Sequence, residues 1–286
     1  VTVGGNLNAK AVNITAQNIS AGGNTTLNAE TALTAQNISA GTDLNAKAVN
    51  ITVQNITAGG NAALNAGAEL FAKNVNVGGN ADITAGTNLT AHDVSVGGDL
   101  NAKAQHITAT SVTGKGNAVL TADKDVTLAG GISAKRNAQL TAGENVTLGG
   151  KTDVGETLTA QVGKDLVTNG DVTTGGDFTA QVGKDLAVNG TIATGRDFVA
   201  HVGNDLAVND LVSTGGRASL TVGRNATLDG ALSTGGNFTA NVGKDLTANA
   251  AVLSHGRATI DAQNVNLNAD LMSDKNLAIT AKNNIV

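Results

Sequence analysis

The stretch LTAQVGKDLVTNGDVTTGG at 158–176 is answered, after one intervening Asp177, by FTAQVGKDLAVNGTIATGR at 178–196. From Thr157 to Ala248 the sequence aligns with itself in rows of twenty. One column reads Phe178, Phe198, Ala218, Phe238, Ala258; another reads Val162, Val182, Val202, Val222, Val242. Two more read Leu166, Leu186, Leu206, Ala226, Leu246 and Val172, Ile192, Val212, Leu232, Val252. Self-similarity at a fixed period of this length marks a solenoid, in which each row is one turn stacked on the next.

Outward from that stretch, each row can be anchored on the residue after its Gly-rich turn. The anchors are Asn6, Asn24, Asp43, Asn61, Asn80, Asp99, Asn117, Asn137, Thr157, Asp177, Asp197, Arg217, Asn237, Arg257 and Asn276. Their spacing is 18 or 19 up to Asn117, then 20 up to Arg257, then 19. Rows fill the chain without a linker, so a single β-helical domain over 1–286 is expected. Shorter coils occupy 1–116 and 20-residue coils 117–256, the difference being read as one extra turn residue per coil.

The positions one and three after each anchor share one side of a strand, because side chains alternate with period 2. They run Leu7/Ala9, Thr25/Leu27, Leu44/Ala46, and on through Leu158/Ala160, Phe178/Ala180, Phe198/Ala200 and Ala218/Leu220. Large and small exchange places but their sum is kept, with Leu277/Ile279 the exception. That is volume conservation in a tight interior, where one methylene is felt. Two further short strands per row, separated by turns such as Gly163-Lys164-Asp165 and Asn169-Gly170, give a triangular coil. Gly and Asn at those corners are expected to supply positive φ. At about 4.8 Å per strand spacing the rows predict a rod on the order of 70 Å long. The apolar positions Leu7, Ile14 and Ile19 lack the strict hexads of left-handed β-helices. The expected fold is therefore an all-β, right-handed parallel β-helix of about 14–15 coils, in line with the crossover preference of parallel strands.

Composition agrees. There is no Pro to interrupt backbone donation, no Cys, no Trp and no Tyr, and only four Phe. Lack of Cys excludes a disulfide framework and thiol catalysis. A net charge of −5 without a basic cluster argues against a nucleic-acid partner. No run approaches the roughly 20 apolar residues of a membrane span, and no signal peptide opens the chain. Beginning in mid-pattern with VTVGGN, it is expected to be a piece of something longer, whose exposed end strands would associate end to end.

Stacking turns every polar column into a ladder. Asp165, Asp185, Asp205, Asn225 and Asp245 form one, beside Lys164, Lys184, Asn204, Arg224 and Lys244. Alternating signs offset like-charge repulsion, so this corner reads as solvated and self-neutralising. A Ca²⁺ column would need a GGxGxDxUx nonapeptide that is absent. The column Asn169, Asn189, Asn209, Asp229, Asn249 reads as turn-forming, with amides bonding to their neighbours above and below. His92, His106, His201 and His255 stand at no ligand spacing and read as surface substitutions. Asn-x-Ser/Thr triplets such as Asn13-Ile14-Thr15, Asn50-Ile51-Thr52, Asn88-Leu89-Thr90 and Asn237-Phe238-Thr239 follow from an Asn- and Thr-rich alternating strand. GxSxG, HExxH and P-loop motifs are absent, as are long insertions and an aromatic platform for sugars. The reading is non-enzymatic, with no catalytic, cofactor-binding or metal-binding residue and no cofactor assigned; a binding site is left unknown. Stacked Thr-x-Thr, which ice binding would need, is not expected from scattered pairs such as Thr157/Thr159.

The rows GGDFTAQVGKDLAVNGTIATG (175–195) and GGNFTANVGKDLTANAAVLSHG (235–256) resemble the haemagglutinin repeats of filamentous haemagglutinin-like, two-partner-secretion exoproteins of Gram-negative bacteria. AGGNTTLNAETALTAQNIS (21–39) is similar to a shorter form of the same repeat. The resemblance implies a large secreted or surface-exposed rod, outside the Gram-negative outer membrane, exported unfolded through an outer-membrane transporter. Members include adhesins linked to virulence and the stalks of contact-dependent toxins. The expected function is a structural shaft supporting adhesion or toxin delivery. One alternative is that the shaft itself is an adhesin for host-cell glycans, receptors or matrix; another is a fragment of a β-helical carbohydrate-active enzyme.

Overall fold

The computed structural model describes residues 1–286. It contains strands, turns and no helix, and the strands pair in parallel with their counterparts one coil away. This is the parallel β-solenoid expected from the repeat. The chain divides into two compact units, Val1–Arg136 and Asn137–Val286.

In the second unit a coil is three short strands, such as Leu158–Val162, Leu166–Thr168 and Val172–Thr174. Leu158 pairs with Phe178, Phe178 with Phe198, Phe198 with Ala218 and Ala218 with Phe238, each a step of 20 residues. Because the step holds at 20 from Leu158 to Phe238, every inward side chain of these coils meets its repeat equivalent. Phe178, Phe198 and Phe238 are fully buried, as are Ala180, Ala200 and Ala240 beside them. The rings of Phe178 and Phe198 lie 5.4 Å apart, tilted by 39°. Where the next coil puts Ala218 above Phe198, it puts Leu220 above Ala200. The lumen thus stays filled by exchanging bulk between neighbouring columns.

The first unit departs from the three-strand expectation. Its strands run through corners, reaching 15 residues at Leu7–Ala21 and 16 at Thr25–Ala40. No Gly-Lys-Asp turn interrupts these rows. The bend is taken at a bulge between Ala11 and Asn13, where the step changes from 18 to 19 residues. Lengthening of the coil is also local. Leu100 pairs with Ala118, His106 with Asp125 and Val112 with Ile132, so the step grows from 18 to 19 to 20 within one turn. The second added residue falls in Ala129-Gly130-Gly131, where the Gly131 N–H closes on the Leu128 carbonyl at 3.3 Å.

Gly131, with φ of 83°, is the one residue of positive φ in the chain. The expectation that Gly and Asn corners use the left-handed region is therefore corrected. What requires glycine is the approach of the preceding coil. A methyl on Gly183 would stand 2.1 Å from the Gly163 carbonyl oxygen, and one on Gly203 the same distance from that of Gly183. Along the column Gly163, Gly183, Gly203, Gly223 and Gly243 backbone stacks on backbone, and a side chain has no room there.

Candidate functional site: polar columns on the coil surface

Most anchor residues of the two units act as acceptors for the next coil. Asn6 Oδ1 takes the Asn24 N–H at 2.8 Å, Asp43 takes that of Asn61 at 2.8 Å, and Asp99 takes that of Asn117 at 2.7 Å. In the second unit Asp177 takes the Asp197 N–H at 3.0 Å and Asn237 takes that of Arg257 at 2.9 Å. A turn amide would otherwise lack a strand partner there, and a short side chain carrying oxygen reaches it. This accounts for Asn or Asp at twelve of the fifteen anchors.

The column Asp165, Asp185, Asp205 is built the same way. Asp185 N–H donates to Asp165 at 3.2 Å, Asp205 to Asp185 at 3.1 Å, and Asn225 to Asp205 at 3.0 Å. The cations beside this corner contribute unevenly. Lys164 turns to Glu144 at 2.7 Å, and Arg224 reaches Asp205 only at 3.8 Å. Backbone donors, rather than the adjacent Lys column, hold the stacked carboxylates.

The amide column is as expected: Asn189 donates to Asn169 at 2.9 Å, Asn209 to Asn189 at 2.6 Å and Asn249 to Asp229 at 2.6 Å. A second amide ladder, not singled out in the sequence, runs through the first unit. Asn37 donates to Asn18 at 2.6 Å, Asn55 to Asn37 at 2.7 Å and Asn74 to Asn55 at 2.6 Å. Its signal was an Asn before Ile or Val in four successive rows, hidden by the alternation of 18- and 19-residue steps. Among the triplet asparagines, Asn13, Asn50 and Asn88 are exposed on the strand face and Asn237 is an anchor.

Two histidines bridge coils. His106 Nδ1 lies 3.0 Å from Asp125 and His255 Nδ1 lies 2.8 Å from Asp274. His92 packs edge-to-face against Phe71, with centroids 6.2 Å apart. His201 joins Gln161, Gln181 and Thr221 along an open groove of roughly 640 Å³ that also takes in Gly163, Gly183 and Gly203. No three His, Cys, Asp or Glu side chains converge as a metal-holding group. A single file of hydroxyls stands on the outer face, where Thr34 pairs with Thr52 and Thr90 with Thr108, while Gln36, Gln54 and His92 stand two residues on in place of a second Thr.

Residues 5–168 match the family described as Hemagglutinin repeat. The chain belongs to the hemagglutinin-repeat family. No curated protein and no solved structure matches it. The rows at 175–195 and 235–256 lie beyond the matched residues, yet their coils continue the hemagglutinin-repeat register, as Leu166 pairing with Leu186 shows. For a hemagglutinin repeat the polar columns described above are chiefly coil-to-coil fastenings. Phe71 is the exception, a large apolar side chain exposed on the outer face of a column whose neighbours Thr52 and Thr90 are hydroxyls.

Proposed function

We propose that the chain is a non-enzymatic shaft segment of a large secreted or surface-exposed exoprotein, holding an adhesive or toxic element away from the cell. The observation that carries this reading is the constant 20-residue step along the inward column of the second unit from Phe178 to Ala258, in which Phe178, Phe198, Ala218, Phe238 and Ala258 follow one another. Such coils are interchangeable: each bonds only its neighbours, so stability and length scale with coil number. Chain export through an outer-membrane transporter suits a sequence without Cys, whose coils can form one upon another as they emerge. No helix of the chain is long and apolar enough to cross a membrane.

Excision tests it. Removing one whole coil, Asp177–Arg196, from the parent protein should leave export, display and distal activity intact. Removing the half coil Leu186–Gly195 should abolish display, because the lumen then meets turn residues. Loss of activity on whole-coil excision alone would contradict a spacer role. A second reading, that the shaft itself adheres, is favoured by one observation, the exposed ring of Phe71.

A further inference from the structure

Three phenylalanines fill the lumen, but Phe71 is 38% exposed. Its outward column otherwise reads Thr15, Thr34, Thr52, then Thr90, Thr108 and Thr127 on the far side. An aromatic ring exposed on a polar sheet gains nothing in core packing over the threonine that every neighbour uses. The adjoining column changes in the same coils. Asn13, Ala32 and Asn50 give way to Glu69, then Asn88, His106 and Asp125. Beyond Phe71, Gln17, Gln36 and Gln54 give way to Lys73 and His92. Repeat residues are thus replaced together, on one face and over three successive coils, by side chains with recognition chemistry.

The geometry is that of a shallow seat. Glu69, Phe71, Asn88, Thr90, His106 and Thr108 line a depression of roughly 210 Å³. His92 holds the ring edge-to-face at 78°. Glu69 accepts from the Asn88 amide at 3.1 Å, and Asp125 orients His106 at 3.0 Å. Donors and acceptors therefore stand in fixed positions beside an apolar plane.

We propose that this depression binds one uncharged sugar residue of a glycan. A pyranose offers an apolar C–H face to lie on Phe71 and a rim of hydroxyls for the Glu69 carboxylate, the Asn88 amide and the Thr90 and Thr108 hydroxyls. The space is smaller than the roughly 300 Å³ of a drug-sized site, which suits a single residue. Glu69 and Asp125 set against Lys73 make no cationic seat, so a sulfated or carboxylated sugar is disfavoured. An added peptide strand is disfavoured too, because the backbone groups of this face are already paired within the coil stack. One ring gives weak binding, which copies displayed side by side would multiply. The inference deepens the adhesive reading and is independent of the shaft reading.

The test uses the 286-residue chain and two variants that restore the repeat's own residues, Phe71→Thr and Glu69→Asn, with Phe71→Tyr as the conservative replacement. The probe is an array of immobilised neutral hexose- and hexosamine-terminated glycans, with their sialylated and sulfated counterparts. The wild-type chain should be retained by neutral glycans at physiological salt. Phe71→Thr should weaken retention at least about tenfold with an unchanged melting temperature, Glu69→Asn should weaken it less, and Phe71→Tyr should keep it. No retention of the wild type, equal retention of Phe71→Thr, or a preference for charged glycans that salt abolishes would each overturn the proposal. Any of these would leave the coil-excision result, and with it the shaft reading, untouched.

Discussion

Asp197 spends both carboxylate oxygens on the same residue of the next coil: Oδ1 accepts the Arg217 backbone N–H at 2.9 Å, and Oδ2 lies 3.0 Å from the Arg217 Nε. The first contact recurs along the anchor column, whereas the second is an addition at one coil. The two differ in worth. A hydrogen bond from a turn amide to a charged acceptor has no ready substitute, while the Arg217 side chain is 62% exposed and its ion pair is screened by water.

Asp197→Asn keeps the Oδ1 acceptor and loses the ion pair, so it should change stability by less than about 0.5 kcal/mol. Asp197→Ala removes both and should cost about 1–2 kcal/mol. Urea melts of the two variants decide the matter; equal losses would mean that the ion pair, not the backbone contact, holds the coils.

Bulk exchange in the lumen predicts a compensating pair. Ala180→Leu beside the buried Phe178 should cost about 1–3 kcal/mol by overpacking, and Phe178→Ala about 3–5 kcal/mol by leaving a cavity. The double variant recreates the Ala218/Leu220 arrangement found two coils on. It should be more stable than Phe178→Ala alone, with the coupling read from a double-mutant cycle in urea. Simple additivity would contradict volume sharing between the two columns.

Thr168 occupies a lumen position taken by Val188 and Val208 in the following coils, and its hydroxyl is buried without a partner. Thr168→Val removes that polar group at nearly constant shape and should stabilise the chain by about 1–2 kcal/mol. An unchanged or lowered melting temperature would show that the hydroxyl is satisfied.

Much of this architecture was legible before the structure, because stacking turns a period into a set of contacts. The exchange of Phe198/Ala200 for Ala218/Leu220 shows both the lumen and its width. The amides of Asn169, Asn189 and Asn209 could be foreseen as a ladder, since equivalent residues must lie one strand apart. The role of Gly183 could not. A glycine required by φ and one required by a neighbour's carbonyl look alike in a sequence, and only the 2.1 Å approach to Gly163 separates them. Phe71 was overlooked for a related reason. Its meaning lies in parity, one residue after the buried Leu70, and in its contrast with Thr52 and Thr90 across a step that bulges obscure.

Gly183 supplies a prediction of its own. Gly183→Ala should cost at least about 1–3 kcal/mol, since the Gly163 backbone that the methyl meets is held in the coil ladder and cannot move aside. At Gly67 the nearest atom to an added methyl is 3.5 Å away, and Gly67→Ala should fall within about 1 kcal/mol of neutral, on either side. Comparable losses at both sites, measured by thermal melting, would return the argument to backbone conformation.

The central claim is that each coil is locked to the next by its backbone ladder, and hydrogen exchange reads that lock directly. The amides of Leu166, Leu186 and Leu206 donate to Asp185, Asp205 and Asn225 of the following coils at 3.0, 3.0 and 2.9 Å. All three should exchange orders of magnitude more slowly than an unstructured chain, with closely similar protection, because opening any one requires separating coils. Rapid exchange at these amides, on the timescale of an unstructured peptide, would mean that the coils are not bonded to one another, and the shaft reading would fall with them.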